Sequence, residues 1–369
     1  MASRVIESLD LAIARADQPL ARECLKAERA GVLARHGLLA DARFALAGVK
    51  TQALRHRSPQ LSGWVNLAEG LIEHFESMAP SAHDRFQRAY AFGGTSGDVR
   101  LQALGAAWLA IGCLNRSQLQ QMQTHLTQAM LLAAPDNHAA WARLALVLAD
   151  SLRYAGDDDR SQYWYLKARG HAIAEGDGSM ISVMLYNMAA MRSGAIGLED
   201  AFGLADADRA GKALIESEST ANYDTGRGNH ALASAHSVLR AQLLTVQRRF
   251  EEALALFDAH LARASHEGMA PREARFLADR AWCRAQLAKL PEALQDVRLS
   301  EAALPRNNDA DDRAATHARL ARVLGLCGLP QEAAAHQALA DEALVAHQAS
   351  QREMLDAVNA VLTSAPAGR

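Results

Sequence analysis

The chain has 369 residues, half of them apolar, with 9 Pro, 5% aromatics and a net charge of −3. That length admits two ordinary domains or one elongated array, and the composition suits helices while excluding collagen-like and disordered classes. A charge so near neutrality gives no support to non-specific binding of nucleic acid or of a membrane surface.

In chain order, residues 2–16 read as a leading helix that caps whatever follows. Arg4, Glu7 and Asp10 interrupt any apolar core there, which excludes a signal peptide. The longest uncharged apolar run, residues 103–114, falls short of a membrane span. Cys24, Cys113, Cys283 and Cys327 lie far apart with no paired spacing, and read as reduced small hydrophobes rather than disulfides or zinc ligands. The expectation is a cytoplasmic protein.

From residue 22 onward a phrase recurs. Phe250-Glu251-Glu252-Ala253-Leu254 returns as Leu290-Pro291-Glu292-Ala293-Leu294 and again as Pro330-Gln331-Glu332-Ala333-Ala334, with the alanines 40 residues apart. Equivalent anchors run back along the chain at Ala201, Ser161, Met122, Ala82 and Ala42, with one longer step between Ala201 and Ala253. A fixed period of this size marks stacked supersecondary units. Four residues after each anchor stand Leu46, Phe86, Leu126, Tyr165, Phe257 and Val297, with Ala205 and Gln337 as weak members. Three further on come Val49, Ala89, Ala129, Ala168 and Ala340, which completes one face of a helix. Twelve residues before the anchors stand Ala30, Gly70, Ala110, Ala149, Ala189, Ala241, Ala281 and Ala321, all Ala or Gly. Such residues let a preceding helix approach closely. Each unit is therefore two antiparallel helices, A and B. No alternating strand run competes, and the fold class is all-α.

This register resembles the tetratricopeptide repeat, whose helix A carries a small residue twelve positions before the Ala of helix B. Gly37 and Gly328 match its inter-helix glycine, and Pro305 its closing proline. The period departs from the family's 34 residues, by an excess of about one and a half turns per unit, and several helix-A aromatics are missing. The pattern stands nearer to long-repeat bacterial variants. The resemblance implies a right-handed α-solenoid, a superhelix of about eight antiparallel helix pairs. Its expected parts are a capping helix at 1–21, repeats at 22–216 and 231–340, an insertion loop at 217–230, a capping helix at 341–364 and a disordered tail at 365–369. Met354, Leu355, Val358, Val361 and Leu362 share one face of that last helix, whose alternative role is a homodimer contact.

The polar stretch Ser217 to His230 holds the excess of the longer step and reads as a surface insertion on one face. Gly93-Gly94-Thr95-Ser96-Gly97-Asp98 reads as a turn with a helix cap, since no P-loop Lys follows. His230 and His236 do not share a helix face, and no HExxH, GxSxG or nucleophile–base spacing appears. No catalytic, metal or cofactor site is expected. Tyr163-Trp164-Tyr165 amid Arg160, Lys167 and Arg169 gives faint support to base stacking, and nucleic acid is not expected as a partner.

In the family helix A lines the concave groove. Carried onto this chain, the partner-binding positions are Trp64, Leu71, His74, Arg143, Asp150, Arg153, Tyr154, Tyr186, Gln242, Arg275 and Trp282. Trp, Tyr and Arg are the commonest interface anchors, and Arg275 with Trp282 is the first pair chosen. The family's carboxylate clamp is not reproduced: Ala27 and Gly31 stand where its Lys and Asn are expected. The resemblance thus implies a non-enzymatic scaffold or regulator that binds a peptide or helix of a partner protein. The alternative is a sensory module of a bacterial signalling system, linked to a diguanylate cyclase or transcriptional output on a separate protein.

Overall fold

The computed structural model describes residues 3–204, 206–226, 233–306 and 309–364, and among them every regular element is a helix. The chain divides into two compact units, one formed by Met1–Met184 with Glu353–Arg369 and the other by Leu185–Arg352. The first opens with α1 (Arg4–Arg15), α2 (Pro19–Arg35), α3 (Leu39–His56), α4 (Pro59–Ser77) and α5 (Ser81–Ser96). It continues through α6 (Val99–Leu114), α7 (Leu119–Leu132), α8 (His138–Tyr154), α9 (Asp158–Glu175) and the start of α10 (Gly178–Ala201). The second takes up the rest of α10, then α11 (Ala207–Gly226), α12 (Ala233–Val246), α13 (Phe250–Ala264) and α14 (Glu273–Gln286). After α15 (Leu290–Ala303) and α16 (Ala310–Leu326) it ends within α17 (Pro330–Ser364).

Consecutive helices pack as pairs: α2 with α3, α4 with α5, α6 with α7 and α8 with α9 in the first unit, α12 with α13 and α14 with α15 in the second. The leading helix of a pair also packs on the next leading helix, as α2 does on α4, α6 on α8, and α14 on α16. Within pairs, contact falls where the sequence marks it. Ala30 and Ala42, Gly70 and Ala82, Ala110 and Met122, Ala241 and Ala253, and Ala281 and Ala293 lie on successive helices and are buried. At Gly70 a Cβ would stand 2.6 Å from Phe86 Cε1, closer than carbon atoms approach. At the polar anchor, Ser161 Oγ donates to the carbonyl of Ala149 at 2.9 Å. Leu46, Phe86, Leu126, Tyr165, Phe257 and Val297 are all buried. Gln337 is exposed, and Ala205 lies outside the described residues.

The helices α2, α4, α6, α8, α10, α12, α14 and α16 end the same way. Gly37, Met78, Ser117, Gly156, Gly203, Arg248, Ala288 and Gly328 adopt positive φ, and the next N–H reaches back to the helix, as Leu38 does to Leu33 and Leu329 to Leu324. This Schellman closure satisfies end carbonyls. The starts of α4, α6, α8 and α10 are capped at a period near 40 by the side chains of Ser58, Asp98, Asn137 and Asp177.

Three expectations are corrected. Ala189 and Ala201 both lie within α10, a single helix of 24 residues, so they are not the contact of two helices. The helix that follows, α11, has 20 residues and packs on α12. Second, residues 217–226 are helical rather than a loop. Ala210, Ala213, Leu214, Ser217 and Thr220 make a buried stripe along α11. Its last members are hydroxyl residues, and Thr220 satisfies its own by donating to the Glu216 carbonyl at 3.0 Å. Residues 227–230 lie outside the described residues, as does the tail 365–369. Third, residues 341–364 are no separate helix, because α17 runs unbroken over 35 residues without an internal Gly or Pro to stop it. Met354, Val358 and Val361 are buried within the chain, so the apolar face offered for a homodimer is already covered.

Ala281 has no exposed surface. Ala281→Leu overpacks α14 against α15 and is expected to destabilise by about 1–3 kcal/mol, a drop of several degrees in melting temperature. The control Phe44→Ser, at a side chain 88% exposed, should leave the melt unchanged. Coincident melting curves for the two variants would place the helix contact elsewhere.

Candidate functional site

In the first unit α2, α4, α6 and α8 turn one face each toward a half-open pocket of about 340 Å³, solvent at its mouth included. Helical spacing builds the wall. Trp64, Ala68 and Leu71 follow one another at i, i+4 and i+7 on α4, and Leu104 and Trp108 at i, i+4 on α6. Gly31 on α2 completes it, where a Cβ would come 2.7 Å from Leu71 Cδ1. The indole N–H of Trp64 donates to Asp98 at 2.9 Å. Trp108 is stacked on Phe86 and met edge-on by His74 and Phe75. Both rings are thereby fixed before any ligand arrives.

The other end of the pocket is charged. Asp177, wholly buried, caps α10 by accepting from Met180 N at 3.2 Å and accepts from Ser179 Oγ at 2.8 Å. Its other oxygen receives Arg35 Nη1, and Arg143 Nη2 at 3.4 Å. Glu175, the last residue of α9, stands more loosely, 3.5 Å from Arg35 Nη2 and 3.6 Å from Arg143 Nη1. Arg143 also donates to the Ala139 carbonyl and lies over the Trp108 ring at 5.3 Å. At the rim Glu28 forms a two-point ion pair with Arg100, whose guanidinium covers Trp64 at 5.1 Å. Three buried atoms at this end have no hydrogen-bond partner: Glu175 Oε2, Arg143 Nε and His36 Nε2. Buried polar groups are normally satisfied, and here both an acceptor and donors stand unfilled beside the pocket.

The electrostatics separate the two carboxylates. Burial works to raise both. At Asp177 the guanidinium of Arg35, His36 and the hydroxyl of Ser179 outweigh it and hold the acid below its ordinary value. At Glu175 burial prevails over Arg35, with Asp177 and Glu28 adding repulsion, and the carboxyl is pushed up to about 7. His74 goes the other way, lowered to about 4 by burial and then by Arg116.

The second unit uses similar groups to join its helices. Arg275 Nη1 bonds Asp312 at 2.5 Å and its Nη2 bonds the Gly194 carbonyl at 2.8 Å. Gln242 bonds Asp279 at 3.0 Å, Arg319 bonds the other oxygen of Asp279 at 3.0 Å, and Arg319 continues to Asp200 at 2.6 Å. Trp282 is buried between the guanidiniums of Arg319, at 5.4 Å, and Arg322, at 4.2 Å.

Of the eleven positions drawn from the sequence, Trp64, Leu71 and Arg143 line the pocket, and His74 supports its wall through Trp108. Asp150 accepts the hydroxyl of Tyr165, Arg153 pairs with Asp158 at 3.0 Å, and Tyr154 is half-buried nearby. Tyr186 is buried against His236 with its hydroxyl 3.5 Å from the Met269 sulfur. Gln242, Arg275 and Trp282 are buried in the bridges just described, so Arg275 and Trp282 are framework rather than a free pair of anchors. The residues overlooked are Glu28, Arg35, Arg100, Trp108, Glu175 and Asp177. Glu28 and Trp108 stand two before the small residues Ala30 and Ala110, as Asp279 and Arg319 do before Ala281 and Ala321. Reading that position would have found them. Asp177 is marked by the period of the caps.

No protein-family model matches the chain, and no curated protein matches it. None of the described helices is long and apolar enough to cross a membrane. Among the described residues no three His, Cys, Asp or Glu side chains group in a way that could hold a metal ion.

Two outcomes follow. Trp282→Ala removes a core ring and is expected to cost about 3–5 kcal/mol; a urea midpoint equal to that of the wild type would return Trp282 to the surface. Glu175 binds its proton more tightly in the folded chain than at its ordinary 4.5, so the native state holds more protons in that window and stability falls as pH rises through it. Histidines lowered by burial, among them His36, His74 and His317, act in the opposite sense, each gaining about 0.4 kcal/mol of stability as pH rises from 6.5 to 8. The histidine contributions are common to the wild type and Glu175→Gln, so between pH 6.5 and 8 the stability of the wild type should fall relative to that of the variant by on the order of 1 kcal/mol. Parallel urea titrations of the two would contradict this.

Proposed function

We propose that the chain is a non-enzymatic interaction module of tetratricopeptide-like build, a right-handed solenoid whose leading helices form a concave face that binds a segment of a partner protein. The pocket of the first unit carries this reading: an apolar wall of Trp64, Trp108 and Leu71 ends on the buried Arg35–Glu175–Arg143 cluster with unfilled hydrogen-bonding atoms. Fixed indoles and arginines at the centre of a desolvated site are the residue types that dominate binding energy. The pocket is small and shallow, its 340 Å³ counting the solvent at its mouth. It suits one inserted side chain of an extended peptide better than a whole helix. The charged rim of Glu28 and Arg100 would steer the encounter.

A second reading, a ligand-sensing module acting on a separate output protein, is favoured by one observation. Glu175 titrates near neutral pH inside the pocket, which suits a site whose occupancy responds to conditions.

The test is selection of displayed random peptides on the folded chain, followed by affinity measurements on Ala139→Met. Ala139 lines the pocket at the first turn of α8, and a flexible thioether there fills it. Selected peptides should lose at least about tenfold in affinity, about 1.4 kcal/mol, with an unchanged circular dichroism spectrum. Peptides that bind both forms equally would move the interaction away from this pocket.

A further inference from the structure

Glu175 occupies its place in the pocket poorly. Asp177 receives four donors, from Arg35, Arg143, Ser179 and the Met180 amide, whereas Glu175 has one hydrogen bond at the 3.5 Å limit. Its Oε2 makes none, with Arg143 Nη1 3.6 Å away, and Arg143 Nε is buried without an acceptor. An acceptor and a donor thus stand unfilled on the same wall. Glu175 also sits at the C-terminal end of α9, where the helix dipole opposes a negative charge. The next residue, Gly176, closes α9 with φ +78°, so any shift of Glu175 is made by its side chain.

We propose that the pocket receives a carboxylate borne on an apolar body, which takes the position of Glu175 between Arg35 and Arg143 while Glu175 gives way as the neutral acid. This rests on the reading of the pocket as the binding site and names the group that enters it. A carboxylate matches the vacated geometry, being planar with two acceptor oxygens for guanidinium donors. The apolar body is required because the ligand competes with a tethered Glu175, and burial against Trp64, Leu71, Leu104 and Trp108 supplies the advantage. The charges around Glu175 are Arg35 and Glu28 on α2, Arg100 on α6, Arg143 on α8 and Asp177 at the start of α10, with the His36 imidazole just past α2 and Arg4 of α1 lying against Gly176. With Glu175 neutral, the set around the ligand has a surplus of positive charge that an anion cancels. Each ligand bound therefore brings one proton from solvent to Glu175, and affinity falls as pH rises above neutrality.

The experiment is calorimetry of the full chain with 4-phenylbutyrate and with its carboxamide, at pH 6 and pH 8, in two buffers of different ionisation enthalpy. The acid should bind, with uptake approaching one proton at pH 8 and an affinity up to about tenfold lower per pH unit above neutrality. The amide should be weaker by at least about tenfold at pH 6. Glu175→Gln, isosteric and checked for fold by circular dichroism, should bind the acid with no pH dependence. N-acetyl-Ala-Phe with a free C-terminus, set against its amide, shows whether the carboxylate can come from a chain end as well as from a free acid. Equal binding of acid and amide without proton uptake would overturn the proposal and leave the pocket reading intact, as would wild-type pH dependence in Glu175→Gln. Binding of neither probe nor peptide acid at millimolar concentration would overturn it as well. The displayed-peptide selection then decides separately whether the pocket binds anything.

Discussion

The structure depends on close approach of two helices at a single small side chain. Where Gly70 faces Phe86 there is no room for one more carbon, and Ala281 and the α15 anchor Ala293 are wholly buried in one cluster. That approach lets the larger residue four positions on, Phe86 or Val297, close the gap between the helices. It also brings successive leading helices near enough for long polar side chains to cross between them. The apolar contact comes first, and the polar architecture is possible only because of it.

The crossings are made mostly by arginine and aspartate. Asp98 and Asp177 each cap a leading helix while receiving donors from other helices, Trp64 and Gln60 for one and Arg35 and Arg143 for the other. A buried ion pair contributes little net stability against an apolar replacement, but loss of one partner costs about 3–5 kcal/mol. Such pairs therefore hold a register more than they strengthen it. Arg serves where Lys would not, since its five donors engage two carboxylates at once, as Arg319 does with Asp279 and Asp200. In the first unit one such cluster holds Glu175 loosely and opens on a pocket, whereas in the second Arg275 is held by Asp312 and the Gly194 carbonyl, with its Nε left without a partner.

Much of the pairing was legible in the sequence because it is repeated. Ala30 and Ala42 announce a contact that Ala281 and Ala293 announce again, and the residues at the fourth and seventh positions agree. The reading failed at α10 because Ala189 and Ala201 satisfy the register by composition alone, and the helix runs on through Gly194 and Gly197 between them. It failed at α11 because the buried stripe there continues into Ser217 and Thr220, which read as surface until their burial is seen. The site was partly legible. Trp64, Leu71 and Arg143 come from the repeat, but Glu175 and Asp177 lie on a short connection whose role appears only when α2 and α8 converge on it. Arg275 and Trp282, chosen for their residue types, show that type alone does not separate a groove anchor from a buried strut.

The bridges between leading helices join residues 34 to 40 positions apart, from Arg143 to Asp177, Gln242 to Asp279, Arg275 to Asp312 and Arg319 to Asp279. In an array where each pair touches only its neighbours, coupling between neighbours decides whether the ends fray or whole blocks melt together. Opening one pair here strands a charge inside the next, and the desolvation cost falls on residues that have not yet moved. Fraying is thereby suppressed within each compact unit. A protease should meet either intact helices or a fully opened block, with few partly opened forms between, and the pocket keeps its shape up to the point at which its unit unfolds.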